Sequence, residues 1–331
     1  MDGPRVAATV EELVAGASSR TPVRTVDGKS GATFERVAIG GEHYFLKVLS
    51  ADDDWIMRCT GNTTNWEYRV WEAGLYHRVP AVIDHAVVAM ALEGHGPGAR
   101  LAILMTDRSD DLVPPGDSTL PVEQHDRFVG HLATFHAAFF GWRDTIGLQD
   151  LPRRFLWFAP TTIAPELLVD DVPGPIAAAD AGWRRLPERS PQLDELVRSI
   201  HDDPHPLAAA LAATPQTFVA GDWKLGNLGS RADGRTVVLD WAYPGEAPPC
   251  WELAWYLALN CERLPRSKEQ TIAAYRRALE QNGIDTTAWW DRQLGLCLVG
   301  MMATMAWEKA LGDERELQWW EDAALTGCVW L

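Results

Sequence analysis

The sequence predicts an α+β fold: a first part of antiparallel strands with one helix, followed by a mainly α-helical part. Three observations carry this. The first hundred or so of the 331 residues alternate β-branched and apolar runs with glycine turns. From residue 121 onward most segments show helical spacing of apolar residues. Between helical regions lies residues 218–241, FVAGDWKLGNLGSRADGRTVVLDW, which places Asp222, Lys224, Asn227 and Asp240 around a turn at Asp233-Gly234.

Taken in order, residues 6–20 are expected to form a short amphipathic helix with Val10, Leu13 and Val14 on one face. Residues 23–47 read as three antiparallel strands (PVRTV, TFERVAIG, YFLKVL) with Gly28-Lys29-Ser30-Gly31 as the first turn. That turn contains GKS but has Val23 where a Walker A loop needs glycine, and a strand rather than a helix follows. It is not a G-x-S-x-G elbow either. Lys47 ends the third strand as the one lysine of an apolar run, and a strand-end lysine reaching solvent is the plainer alternative.

Residues 51–61 suggest a short extra helix behind an acidic run. A helix then starts near Asn62-Thr63-Thr64 and carries Trp66, Val70, Trp71 and Leu75. Glu67 lies on it, and Thr64-x-x-Glu67 also fits a capping box that would turn Glu67 to its own backbone. Glu72 is the fallback acid on another face. After Pro80 two further strands lead to Leu104-Met105-Thr106-Asp107-Arg108, and residues 107–118 form an irregular exit rich in Asp, Pro and Gly.

Residues 123–140 read as an amphipathic helix. His131 and His136 stand five apart on it, which is not one-face metal spacing, so core or hydrogen-bonding roles are expected; Pro204 interrupts His201 and His205. Residues 142–182 read as irregular and residues 191–214 as helical. A short loop, AYPGEAPPC, follows Asp240 and Trp241. Ser267-x-x-Gln270 is a capping box opening a helix that ends at Asn282-Gly283, and two more helices, the first over 285–311, complete the chain.

D-x-K-x-x-N followed by a strand-borne aspartate resembles the catalytic and metal-binding segments of the protein-kinase-like superfamily. Gly221-Asp222 and Leu239-Asp240-Trp241 are most similar to its small-molecule branch, the aminoglycoside phosphotransferases and choline kinases. The resemblance implies Asp222 as catalytic base and Lys224 as a contact of the γ-phosphate. It implies Asn227 and Asp240 as ligands of Mg²⁺, which prefers oxygen donors. It further implies a nucleotide held by Gly28 and Ser30 in the glycine turn, by Lys47 on the α- and β-phosphates with Glu67 as its acidic partner, and by a hinge at Met105, Thr106 and Arg108. Trp251-Glu252-Leu253-Ala254 is similar to the family's D-L-A, with Glu for the Asp that braces the catalytic loop. The chain departs from the family at Ala220, where a structural histidine is usual.

On that resemblance, residues 1–106 form a nucleotide-binding lobe and residues 107–331 a catalytic and substrate-binding lobe. The expected activity is ATP- and Mg²⁺-dependent transfer to a hydroxyl of an antibiotic, sugar, nucleoside or amino alcohol, with GTP open beside ATP. The alternative is a nucleotide-binding pseudokinase with a regulatory role; a protein-directed kinase is a third option, disfavoured by the short segment after Asp240.

Composition bounds the partners. A net charge of -16 argues against nucleic-acid binding through phosphates and is compatible with a cationic acceptor. Five scattered cysteines without C-x-x-C spacing suggest reduced thiols and a cytoplasmic protein. No signal-peptide pattern opens the chain, and the longest apolar stretch, residues 294–307, is too short to span a bilayer, so no membrane is expected. The sequence leaves the acceptor and the oligomeric state open.

Overall fold

The computed structural model describes residues 6–23 and 30–331. Its largest sheet has six strands in the order β1-β6-β7-β4-β3-β2: β1 (Val6–Ala7), β2 (Ala17–Val23), β3 (Thr33–Ile39), β4 (Glu42–Leu49), β6 (Val87–Glu93) and β7 (Arg100–Thr106). All neighbours are antiparallel except β1 beside β6.

Side-chain alternation sorts the sheet into two faces. Leu46 and Val48, with Ala102 and Leu104, pack under α1 (Val10–Leu13). Leu49, with Leu101, Ile103 and Met105, faces the main core and α3 (Trp66–Glu72). Lys47 shares the parity of Leu49, so period two alone delivers its ammonium to the face that looks into the cleft.

The single helix expected over residues 6–20 is not what forms. Gly16 adopts φ +82, in the left-handed region, and turns the chain after a single helical turn, so residues 17–23 become an edge strand. The buried trio Val10, Leu13 and Val14 is as expected. The first strand is therefore earlier than the expected PVRTV, and Gly28 and Lys29 lie outside the described residues.

Residues 51–61 do form the extra helix, α2 (Trp55–Thr60), capped by Asp54, whose Oδ1 accepts from the N–H of Ile56 at 2.8 Å and of Met57 at 3.2 Å. In α3 the capping box is not made. Asn62 Oδ1 accepts from Trp66 N–H at 2.9 Å instead, while Asn65, at the N-cap position, makes no side-chain cap.

The remainder is helical: α4 (Val122–Ala138), the single turns α5 (Leu151–Arg154) and α6 (Pro160–Ile163), then α7 (Gly174–Arg189), α8 (Pro191–Asp202), α9 (His205–Ala212), α10 (Pro249–Asn260), α11 (Lys268–Gln281), α12 (Trp290–Leu311) and α13 (Glu314–Gly327). The capping box of Ser267 and Gln270 is present at α11. Residues 142–182 are less irregular than expected, because α7 begins at Gly174. Helix α12 is long and apolar enough to cross a membrane by composition, but it lies at the centre of this lobe against α7, α10 and α13. His131 bonds Thr236 Oγ1 at 2.7 Å and His201 donates to Ala303 O at 2.7 Å, hydrogen-bonding roles as expected.

Two small sheets place the central stretch. The hairpin strands β9 (Leu228–Ser230) and β10 (Thr236–Val238) are antiparallel, and β10 also pairs in parallel with β5 (Ile83–Asp84). β8 (Thr217–Val219), which enters the loop, pairs with β11 (Gly245–Ala247), a short strand within the segment expected to be a loop.

Candidate active site

The loop is built from backbone geometry first. After β8 the chain passes through Gly221 at φ +91, where a Cβ would lie 2.0 Å from Tyr243 O, so no other residue fits. Asp222 follows, 2 % exposed. Its Oδ2 accepts from Lys224 Nζ at 2.7 Å and from Asn227 Nδ2 at 2.8 Å. Its Oδ1 accepts from Trp255 Nε1, on α10, at 2.9 Å. The D-x-K-x-x-N spacing works because a tight turn, with Asn227 N–H donating to Lys224 O at 2.9 Å, brings the amide back beside the carboxylate. Burial raises the Asp222 pKa, more than Lys224 lowers it, which favours proton uptake over an ordinary carboxylate. The Lys224 ammonium is held charged, since Asp222 and Asp240 outweigh its burial.

The hairpin supplies the second carboxylate. Leu239 N–H donates to the backbone carbonyl of Asn227 at 2.9 Å, which ties the end of β10 to the loop that carries Asp222. The expectation of a strand-borne Asp240 is corrected: the residue lies two positions past the end of β10 at φ +55, an uncommon conformation for a non-glycine residue. Its Oδ1 meets Lys47 Nζ at 2.6 Å. Burial pushes Asp240 up, but Lys47 and then Lys224 pull harder, so its pKa falls below the usual carboxylate range. Lys47 is held above the ordinary lysine value: burial opposes this, and Asp240 and Glu67 overcome it.

The APH family model, the phosphotransferase enzyme family, matches residues 26–290. This chain belongs to that family. Membership makes it a phosphotransferase with an alcohol group as acceptor. No curated protein matches it. Among solved structures it is similar to a microcompartment-associated aminopropanol kinase, at 13% identity over 94% of this chain and 90% of the other, TM-score 0.52. It is similar to LicA in complex with AMP, at 12% identity over 94% and 92%, TM-score 0.52; LicA is a choline kinase from Streptococcus pneumoniae. It is also similar to the amicoumacin kinase hAmiN in complex with AMP-PNP, Ca2+ and Ami, at 12% identity over 94% and 86%, TM-score 0.51. These likenesses are likenesses of fold, the protein-kinase-like fold of an antiparallel-sheet lobe and a helical one.

In this phosphotransferase the expected Lys47–Glu67 pair is replaced by Lys47–Asp240. Glu67, 2 % exposed, accepts from Asn62 Nδ2 at 3.3 Å and stands behind the ion pair. Burial pushes its carboxyl up to about 7 against the pull of Lys47, so Glu67 is the weaker anion of the two and loses the competition for one ammonium. A raised acid keeps its proton longer in the folded state, so Glu67 makes stability fall as pH rises from about 4.3, its unfolded value, to about 7. Glu67→Gln should therefore gain melting temperature relative to the wild type between pH 5 and pH 8. A difference constant across that range would remove the buried-acid assignment.

The hinge residues are arranged differently from one another. Met105 is buried in β7. Thr106 N–H donates to Ala86 O at 2.9 Å and is thus spoken for. The Arg108 guanidinium turns to Asp84 Oδ2, with Nη2 at 3.0 Å, a carboxylate oxygen that also takes Arg231 Nη1 at 3.0 Å. Ser30 is partly buried, its hydroxyl 3.4 Å from Ala32 N. Glu252 does brace the loop, its Oε1 accepting from Gly221 N–H at 2.6 Å.

Three residues of the site were not singled out from sequence. Trp255 looks like any apolar position of α10, and Tyr243 like part of a loop. Asp54 is visible only as the last of an acidic run; it caps α2 while lying within electrostatic range of Lys47 and Asp240. The cleft thus gathers Asp54, Glu67, Asp222 and Asp240 against Lys47 and Lys224, an excess of carboxylates. Among the described residues no three His, Cys, Asp or Glu side chains cluster as a metal cage.

Proposed function

We propose that this phosphotransferase moves the γ-phosphate of ATP, with Mg²⁺, to a hydroxyl of a small molecule, an antibiotic, sugar, nucleoside or amino alcohol. The observation that carries the reading is one bonded constellation: Asn227 and Lys224 on the Asp222 carboxylate, beside the Lys47–Asp240 pair.

In this reading Asp222 orients the acceptor hydroxyl and takes its proton, which its raised pKa favours. Lys224 neutralises charge on the transferring group, and Lys47 leaves Asp240 for the α- and β-phosphates. The carboxylate of Asp240 and the amide oxygen of Asn227 are hard oxygen donors, and the excess of carboxylates in the cleft suits a divalent cation. These two residues would hold Mg²⁺, which typically takes one or two protein ligands and fills its shell with phosphate oxygens and water. When bound, the ion spreads the charge developing on the phosphoryl oxygens. The glycine turn with Gly28 and Ser30, and the hinge at Met105, Thr106 and Arg108, would hold the nucleotide, with the Thr106 N–H taking no part because it already donates to Ala86 O. Residues 1–106 would act as the nucleotide lobe and 107–331 as the catalytic and acceptor lobe.

ATP is favoured over GTP by the adenine nucleotides in the LicA and amicoumacin kinase structures. The acidic cleft and the net charge of -16 favour a cationic acceptor. The five cysteines are unpaired thiols, in keeping with a reducing, cytoplasmic setting. Against the pseudokinase reading, Asp222, Lys224 and Asn227 are bonded together beside the Lys47–Asp240 pair, an arrangement that suits transfer, and Ala220 is buried in the core. The test is nucleotide turnover with and without Mg²⁺ across a panel of hydroxylated acceptors, read by mass. A phosphate gained on one acceptor class, only with metal, is expected. Mg-ATP binding without transfer to any acceptor would favour the pseudokinase.

A further inference from the structure

We propose that Arg58 and Glu166 are positioning residues of the transfer reaction, a bonded pair through which the helical lobe sets where the glycine turn meets the nucleotide. The inference rests on the reading of that turn as a seat for the nucleotide.

The contacts start at the turn. Gly31, its last residue, lies so close to residues 51–54 that a Cβ there would stand 1.9 Å from Asp53 O and 3.1 Å from Asp54 Cα. The 51–54 loop follows directly on β4, which carries Lys47, and it closes on itself. The N–H groups of Asp53 and Asp54 donate to Ser50 O at 3.2 and 2.9 Å. Arg58, on α2, reaches back over this loop, and its Nη1 donates to Ala51 O at 3.0 Å and to Asp52 O at 2.9 Å. The other edge of the same guanidinium meets the helical lobe. Nε and Nη2 donate to Glu166 Oε1 and Oε2 at 2.6 and 2.7 Å, on a turn (Ala164–Leu167) 108 residues further along.

Two physical points separate this from an ordinary surface ion pair, which joins two mobile side chains and contributes little. Glu166 is 5 % exposed, and a buried carboxylate costs more than an apolar residue in its place, so stability alone does not account for the pair. Arg58 makes four hydrogen bonds, two to the loop and two to Glu166, so its planar fork fixes an angle as well as a distance. The loop so held is the one on which Gly31 rests by backbone contact, and a shift of one is a shift of the other. The neighbouring helix α3 has its own tie to the helical lobe, Arg69 Nη1 donating to Ile146 O at 2.7 Å. Loss of Arg58 therefore releases the 51–54 loop without releasing Glu67.

The experiment is a double-mutant cycle of Arg58→Met and Glu166→Leu, with Lys47→Ala beside it. Mg-ATP affinity is read by calorimetry well below each melting temperature, and the acceptor KM on the acceptor found with the hydroxylated panel. Arg58→Met should weaken Mg-ATP binding by about tenfold and leave the acceptor KM near that of the wild type. Glu166→Leu should weaken it in the same sense. The double variant should bind no more weakly than Arg58→Met alone, since the two substitutions cut one tie. Arg58→Met strands the buried Glu166 carboxylate; if it does not fold, the double variant, which removes both charges, carries the test. Wild-type Mg-ATP affinity in folded Arg58→Met or in the double variant, with a lower melting temperature as the one change, would overturn the proposal. Additive losses, or an acceptor KM that rises as much as the ATP dissociation constant, would do the same. Unchanged Mg-ATP binding in Lys47→Ala would instead sink the nucleotide reading itself, an outcome distinct from intact binding in the Arg58 and Glu166 variants alone.

Discussion

Asp222→Asn should slow phosphoryl transfer by about 10²–10⁴-fold, the usual contribution of a positioned base, while Mg-ATP affinity stays near that of the wild type. The substitution keeps the size of the side chain but leaves one acceptor oxygen, which can take Lys224 Nζ, now at 2.7 Å, or Trp255 Nε1, now at 2.9 Å, and not both. It removes the negative charge and the basicity. In the proposed reading the nucleotide rests on other groups, Lys47 and Asp240, whose mutual bond of 2.6 Å does not involve Asp222. Calorimetry of Mg-ATP binding beside single-turnover kinetics separates the two effects. Unchanged transfer would take the base out of the mechanism; a parallel collapse of ATP affinity would mean that Asp222 works on the nucleotide.

Asp240→Ala should lower turnover by about 10²–10³-fold, the cost typical of deleting one preorganised electrostatic group. Two losses combine. The variant lacks a carboxylate kept ionised by Lys47 and Lys224, and with it a metal-type oxygen. It also leaves the largely buried Lys47 without its partner. Nucleotide affinity measured against Mg²⁺ concentration should lose most of its metal dependence, while the circular-dichroism spectrum is retained. Metal-dependent turnover at the wild-type level would show that Asp240 does not hold the ion.

The features legible in the sequence are those whose causes lie within a few residues. Asp222, Lys224 and Asn227 meet through one tight turn, so their nearness follows from their spacing. The Asp233-Gly234 reversal and the capping box of Ser267 and Gln270 are equally local. Period-two alternation put Lys47 on the cleft face of β4 without help from any other strand. The resemblance to a known family then gave these local patterns their order and their expected chemistry.

Long-range choices were settled elsewhere. The expected acid for Lys47 was Glu67, with Glu72 as the fallback, yet the ammonium bonds Asp240, which lies 193 residues away. Which of them it bonds depends on where β10 stops, on the left-handed turn at Asp240 and on how far burial weakens Glu67 as an anion, none of which a local window contains. The same holds for Trp255 on Asp222, for Arg108 on Asp84 and for Arg58 on Glu166. The sequence by itself determined which groups sit in the loop, because backbone geometry over six residues fixes their approach. Only the tertiary structure decided which opposite charges pair, because a single ammonium in a crowded, desolvated cleft goes to the carboxylate that packing brings closest and burial leaves most ionised.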